Sequence, residues 1–159
     1  MGQDDHQCGK PGTTVAELNL SIEVIAILNT ARRYCMSFSN ASRLYWEDAI
    51  DVAVAEFGDA RGPEIAVAVL NVPRKMRSAR RSNFIFYSPY CPACSAKVTP
   101  DEERLIRTIQ ATRLGQSGSA EIDAMILCEG NGTHQFLQAV KRLVRVAGIE
   151  GVRPTKRVS

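Results

Sequence analysis

Asn83-Phe84-Ile85-Phe86-Tyr87-Ser88-Pro89-Tyr90-Cys91-Pro92-Ala93-Cys94-Ser95-Ala96-Lys97-Val98-Thr99-Pro100-Asp101-Glu102-Glu103 is the stretch on which the reading of the fold turns. It combines an aromatic cluster, a Cys-x2-Cys pair and the start of a helix. Thr99-Pro100-Asp101-Glu102 matches a capping box: the threonine hydroxyl can accept from the third helical N–H, and the glutamate can reach back to the cap. Proline at the first helical position loses no bond. A helix is therefore expected from Pro100, with Leu105, Ile106 and Ile109 inward and a stop near Gly115. The aromatic run Phe84 to Tyr87 predicts a short extended piece pinned into the core.

Working outward, the pattern is helical on both sides. Downstream, Ser117 opens a short helix expected to turn Ile122, Met125 and Ile126 inward and to end at Gly130. Asn131 or Thr133 caps a last helix, whose Phe136, Leu137, Val140, Leu143, Val144 and Ala147 form a broad apolar stripe ending at Gly148. Upstream, Val24, Ile27, Leu28, Ala31 and Cys35 repeat at helical spacing within Val15 to Phe38, with Arg32 and Arg33 near the end, where they complement the helix dipole. Trp46, Ala49, Ile50, Ala53, Val54 and Phe57 make a second stripe behind an acidic outer face, and Gly58 can close it. Gly62-Pro63-Glu64 opens a helix to about Val72. Its valines make a strand the alternative, and Pro73 is expected to break or kink it.

This pattern predicts an all-α, single-domain bundle of five or six helices with one irregular, cysteine-bearing connection. Residues 1–13 are expected to be a flexible arm, 14–149 the helical domain and 150–159 a basic tail with Arg153, Lys156 and Arg157. A length of 159 residues with 45% apolar content suits one core of this size. There is no secretory signal pattern and no apolar run of membrane-spanning length, so no membrane partner and a cytoplasmic location are expected. Five cysteines at irregular spacing do not make a disulfide framework and read instead as packing residues, ligands or reactive thiols.

The Cys91-x2-Cys94 pair carries the most specific chemistry. Two thiols from one tight turn suit zinc, and Cys128 with His134 would supply the other two ligands of a tetrahedral site. His6 and Cys8 form a further potential ligand pair in the arm. Phe86-Tyr87-Ser88-Pro89-Tyr90-Cys91-Pro92-Ala93-Cys94 also resembles, over about ten residues, the start of a thioredoxin or glutaredoxin active site, in which a helix N-terminus lowers the first thiol's pKa. That resemblance implies a thiol-disulfide oxidoreductase using Cys91 and Cys94. The chain departs from the pattern in restarting its helix at Pro100 and in having no proline between Pro100 and Pro154.

The net charge of +3 implies no polyanionic partner for the surface as a whole, so such a partner has to come from local clusters. Arg74, Lys75, Arg77, Arg80 and Arg81, uninterrupted by acids, form one that could neutralise nucleic-acid phosphates. There is no nucleophile elbow, P-loop or glycine-rich dinucleotide turn, which argues against the common hydrolase and nucleotide enzymes. Amphipathic helices with segregated charge favour a regulatory or protein-interaction domain, with self-association or a protein partner.

Overall fold

The computed structural model describes residues 10–151, so all but the first two residues of the tail expected at 150–159, and most of the expected arm with His6 and Cys8, lie outside the described residues. Among the described residues seven α-helices follow in order: α1 (Ile22–Ser39), α2 (Tyr45–Phe57), α3 (Gly62–Ala79), α4 (Pro92–Ser95), α5 (Pro100–Arg113), α6 (Ser117–Leu127) and α7 (His134–Ala147). No strand is present among the described residues. The seventh helix, beyond the five or six expected, is the single turn α4 inside the cysteine connection.

Neighbouring helices pack in the pairs α1 with α2, α2 with α3, α3 with α7, and α5 with α6, while α1 also meets α3 and α5 meets α7. Val24, Ile27 and Leu28 of α1, Val69 and Val72 of α3, Leu105 and Ile109 of α5 and Leu143 of α7 enclose a void of about 10 Å³. That is about the least volume that admits one water, and its lining is apolar, so the centre is close-packed and dry.

Three local expectations need correcting. α1 starts at Ile22, capped by the Ser21 hydroxyl, which accepts from the Val24 N–H. The chain before it is taken up otherwise: Ala16–Leu18 form a 3-10 turn that ends at Asn19 in the left-handed region. Residues 13–15 lie beside the cysteine connection, where Val15 N–H donates to the Ala96 carbonyl and Val98 N–H to the Thr13 carbonyl. Structure thus begins before residue 14. α3 does not stop at Val72 but runs through Pro73 to Ala79. An interior proline costs a helix about 3 kcal/mol, yet Val72, Pro73 and Met76 are all buried, and packing holds the helix together.

α6 is rotated from its expected orientation. Ala120, Ala124 and Leu127, at i, i+4 and i+7, form its buried face, while Ile122, Met125 and Ile126 are exposed. Both sets have helical spacing. The two alanines let α6 lie close to α5, which bulkier isoleucine and methionine would prevent. α2 behaves similarly, since Ala49 and Ala53 are fully buried and Trp46 is 45% exposed.

Tyr34 and Cys35 on the inner face of α1 make the bundle sensitive to alkali. Burial pushes the Tyr34 phenol up to about 12 from its ordinary 10.0. Burial, helped by the negative charge of Glu102, pushes the Cys35 thiol up to about 12 from 9.0. Both folded values are raised, so their stabilisation is complete below pH 9 and is lost as pH climbs toward 12, because the unfolded chain releases these protons first. Thermal melts from pH 8 to 11 are expected to show a falling melting temperature above pH 9, with the fall reduced by Cys35→Ala.

Candidate functional site

The cysteine connection is built around one buried ion pair. Arg32 and Glu102, each 1% exposed, meet in a two-pronged contact, with Arg32 Nε to Glu102 Oε1 at 2.6 Å and Nη2 to Oε2 at 2.9 Å. The remaining Arg32 donors reach the carbonyls of Ser95 (2.9 Å) and Lys97 (2.5 Å), just past the cysteine turn. Glu102 also accepts from the N–H groups of Thr99 and Tyr87. Thr99 completes the expected capping box, and its hydroxyl donates to the Ile85 carbonyl. Asp101 accepts from the Ile85 N–H. The extended aromatic segment is therefore held by the side chains that open α5, without a neighbouring strand. No buried side-chain nitrogen or oxygen among the described residues lacks a partner.

Within this frame Cys91 is the N-cap of α4, and its Sγ accepts from the Cys94 N–H at 3.4 Å. Cys91 is half-buried and Cys94 is 7% exposed. The outer end of the connection rests on α1 and α2 through Tyr90, whose hydroxyl donates to Asp48, whose ring lies 5.4 Å from that of Tyr45, and over which Arg33 sits at 5.3 Å.

The other two expected zinc ligands are placed elsewhere. Cys128 is wholly buried at the end of α6, where burial raises its thiol pKa, and His134 opens α7 beside the end of α3. Among the described residues, no three of His, Cys, Asp and Glu are gathered to hold a metal, so Cys91, Cys94, Cys128 and His134 do not form one centre.

The basic run is divided too. Arg77 stacks on the Phe38 ring at 4.1 Å, and Arg74 bonds the Asn71 side chain. Lys75 and Arg81 line an open groove of about 720 Å³ with Asn131, His134 and Gln135. Arg80 turns inward, its side chain 7% exposed, and donates to the carbonyls of Ser82, Asn83 and Leu127 and to Asp101. Glu129 closes the same joint by accepting from the N–H groups of Arg81 and Ser82 and from the Ser82 hydroxyl, contacts that hold its carboxyl below the usual range. Arg80 is thus a structural tie between α3 and the turn after α6. Arg80→Ala is expected to cost about 2–3 kcal/mol, since hydrogen bonds to a charged group are being lost. Denaturant unfolding tests this, and a change below 0.5 kcal/mol, about the level of an ordinary surface substitution, would contradict it.

The most exposed apolar surface of the second half is the outer face of α6, where Ile122, Met125 and Ile126 are 63%, 50% and 48% exposed. Spaced i, i+3 and i+4, they make one ridge. On the α5 side the ridge is bordered by Asp123, which pairs with Arg107 (3.1 Å) and Arg104 (3.5 Å). On the α7 side it is bordered by Glu121, which accepts from the Thr133 hydroxyl at 2.7 Å. The sequence shows a strongly apolar α6, and the clue missed in it was the second helical set, Ala120, Ala124 and Leu127. No helix among the described residues is long and apolar enough to cross a membrane. Comparison with protein-family models, with curated proteins and with solved structures returns no match.

Proposed function

We propose that this chain is a helical protein-interaction domain that pairs with a second copy of itself through the α6 ridge. The carrying observation is the exposure of Ile122, Met125 and Ile126 on a helix whose opposite face is already fully used for packing. A helix apolar on two faces has the pattern of an element with two partners, one inside the fold and one outside it. The charges beside the ridge favour a second copy as the outer partner. The α5 border carries Arg104 and Arg107, paired with Asp123 and, for Arg107, also with Glu103, while the α7 border carries Glu121. A two-fold axis running along α6 lays each border of one copy against the opposite border of the other, so that the part-exposed arginines of one copy face Glu121 of its partner. An axis across the helix would set like against like.

Amide hydrogen exchange of the full chain at increasing protein concentration tests this reading. Slower exchange confined to α6 and its α5 and α7 borders is expected. Protection that does not change with concentration, or that changes elsewhere, contradicts it.

A further inference from the structure

We propose that the groove between the end of α3 and the start of α7 seats the phosphate backbone of a nucleic acid. Lys75, Arg81, His134 and Gln135 line it, and no carboxylate does among the described residues. Ammonium, guanidinium and carboxamide groups together with a helix N-terminus are the donors that phosphate oxygens take in nucleic-acid complexes. All of them meet in this one groove. Its single apolar lining side chain is Ala79, so it offers no pocket in which a peptide side chain or an acyl chain could bury.

The other polar groups of the groove are spent on holding its walls. The Ser78 hydroxyl bonds the Arg74 carbonyl, and the Asn131 side chain covers the Ala79 carbonyl at the negative end of α3. Arg80 is committed to Asp101 and Glu129. Lys75 and Arg81 differ, because among the described residues no carboxylate pairs with either side chain. Glu129 holds Arg81 only through its main-chain N–H, and Glu121, at the edge of the groove, is engaged by the Thr133 hydroxyl. With Thr133 turned that way, α7 begins without a side-chain cap and without an acid in its first turn. The positive end of its dipole is therefore left for an anion.

The same charge continues along α7. Gln135, Gln138, Arg142 and Arg145 fall at i, i+3, i+7 and i+10 and are all exposed, so the face that lines the groove carries two further arginines over about 15 Å. α7 has no acidic residue, and the one acid of α3, Glu64, precedes Lys75 by eleven positions. Phosphates recur about every 3.4 Å of axis along each strand of a duplex, so a row of this length meets several of them. A lone phosphate would use the groove only. The α6 ridge takes no part in this surface, and binding is expected whether or not two copies pair there.

Fluorescence anisotropy tests this, with the full chain titrated into labelled single-stranded RNA, single-stranded DNA or duplex DNA of about 20 nucleotides, over about 50–200 mM salt. At least one probe is expected to bind with a Kd of about 1–100 µM at about 100 mM salt, and log affinity should fall linearly with log salt. Lys75→Ala and Arg81→Ala are each expected to weaken binding about threefold to tenfold and to lower the salt slope by about one unit. Gln135→Lys should do the reverse, tightening binding and steepening the slope by about one unit. The control is Lys141→Ala, the same charge change on the side of α7 that faces Thr112 and Ser117, which should leave the slope unchanged. All four variants should melt with the wild type, since no hydrogen bond of a carbonyl, carboxylate or amide among those described above uses these side chains. Absence of binding to all three probes at about 50 mM salt and about 100 µM protein overturns the proposal. So does an effect of Lys141→Ala equal to that of Lys75→Ala, or displacement of the nucleic acid by poly-glutamate of equal charge.

Discussion

Glu102→Gln is expected to lower stability by about 3–5 kcal/mol, which for a chain of this length is a fall in melting temperature of about 10 °C or more. The substitution keeps the shape but leaves the Arg32 guanidinium buried at 1% exposure without its counter-charge. Arg32→Met should cost a similar amount by stranding the carboxylate instead. The decisive comparison is the double variant Arg32→Met, Glu102→Leu. Replacing a buried ion pair with apolar side chains is often neutral elsewhere. Here it would also strip partners from the carbonyls of Ser95 and Lys97 and from the N–H groups of Tyr87 and Thr99. Each buried backbone group left unpaired costs about 1–3 kcal/mol. The double variant is therefore expected to remain strongly destabilised by denaturant unfolding. A double variant as stable as wild type would mean that the pair only balances its own charge and does not organise the connection.

The second large effect is expected at Gly62, the first residue of α3. A Cβ there would stand 2.5 Å from the Val54 Cα and 2.8 Å from its backbone nitrogen. Those are main-chain atoms of α2, so no rotamer change relieves the clash, and the two helices have to separate. Gly62→Ala should cost about 3 kcal/mol or more, at or beyond the upper end of ordinary overpacking. Gly118→Ala provides the control, since it lies in exposed α6 with nothing within 4 Å of the added atom. That change should stabilise by about 0.5–1 kcal/mol through helix propensity. Equal effects at the two positions would show that α2 and α3 are not in the close contact described.

What could be read from the sequence was what is local. The capping box at Thr99 needs only four consecutive residues and forms as expected, and the stripe of α7 is broad enough to permit one orientation only. The misses all depend on distant partners. Pro73 stays helical because of what it packs against, and local propensity carries no record of that. α6 offers two helical sets, and the choice between them is made by α5, which accepts alanines at close range. Arg32 reads as a cation suited to a helix end, but its partner lies 70 positions away, and no spacing rule links them. The basic run looked continuous because charges were counted along the chain. In space its members go to the Phe38 ring, to an interior joint and to an open groove.

Sedimentation equilibrium of the full chain, beside the variant Ile122→Glu, Met125→Glu, tests the assigned role of the α6 ridge most directly. Both side chains are at least half exposed and contribute little to the core, so the variant should keep the fold and melting temperature of the wild type. The wild type is expected to pass from monomer to dimer as concentration rises, and the variant to stay monomeric throughout. A wild type that remains monomeric, or a variant that dimerises as the wild type does, contradicts the assignment of α6 as the docking face.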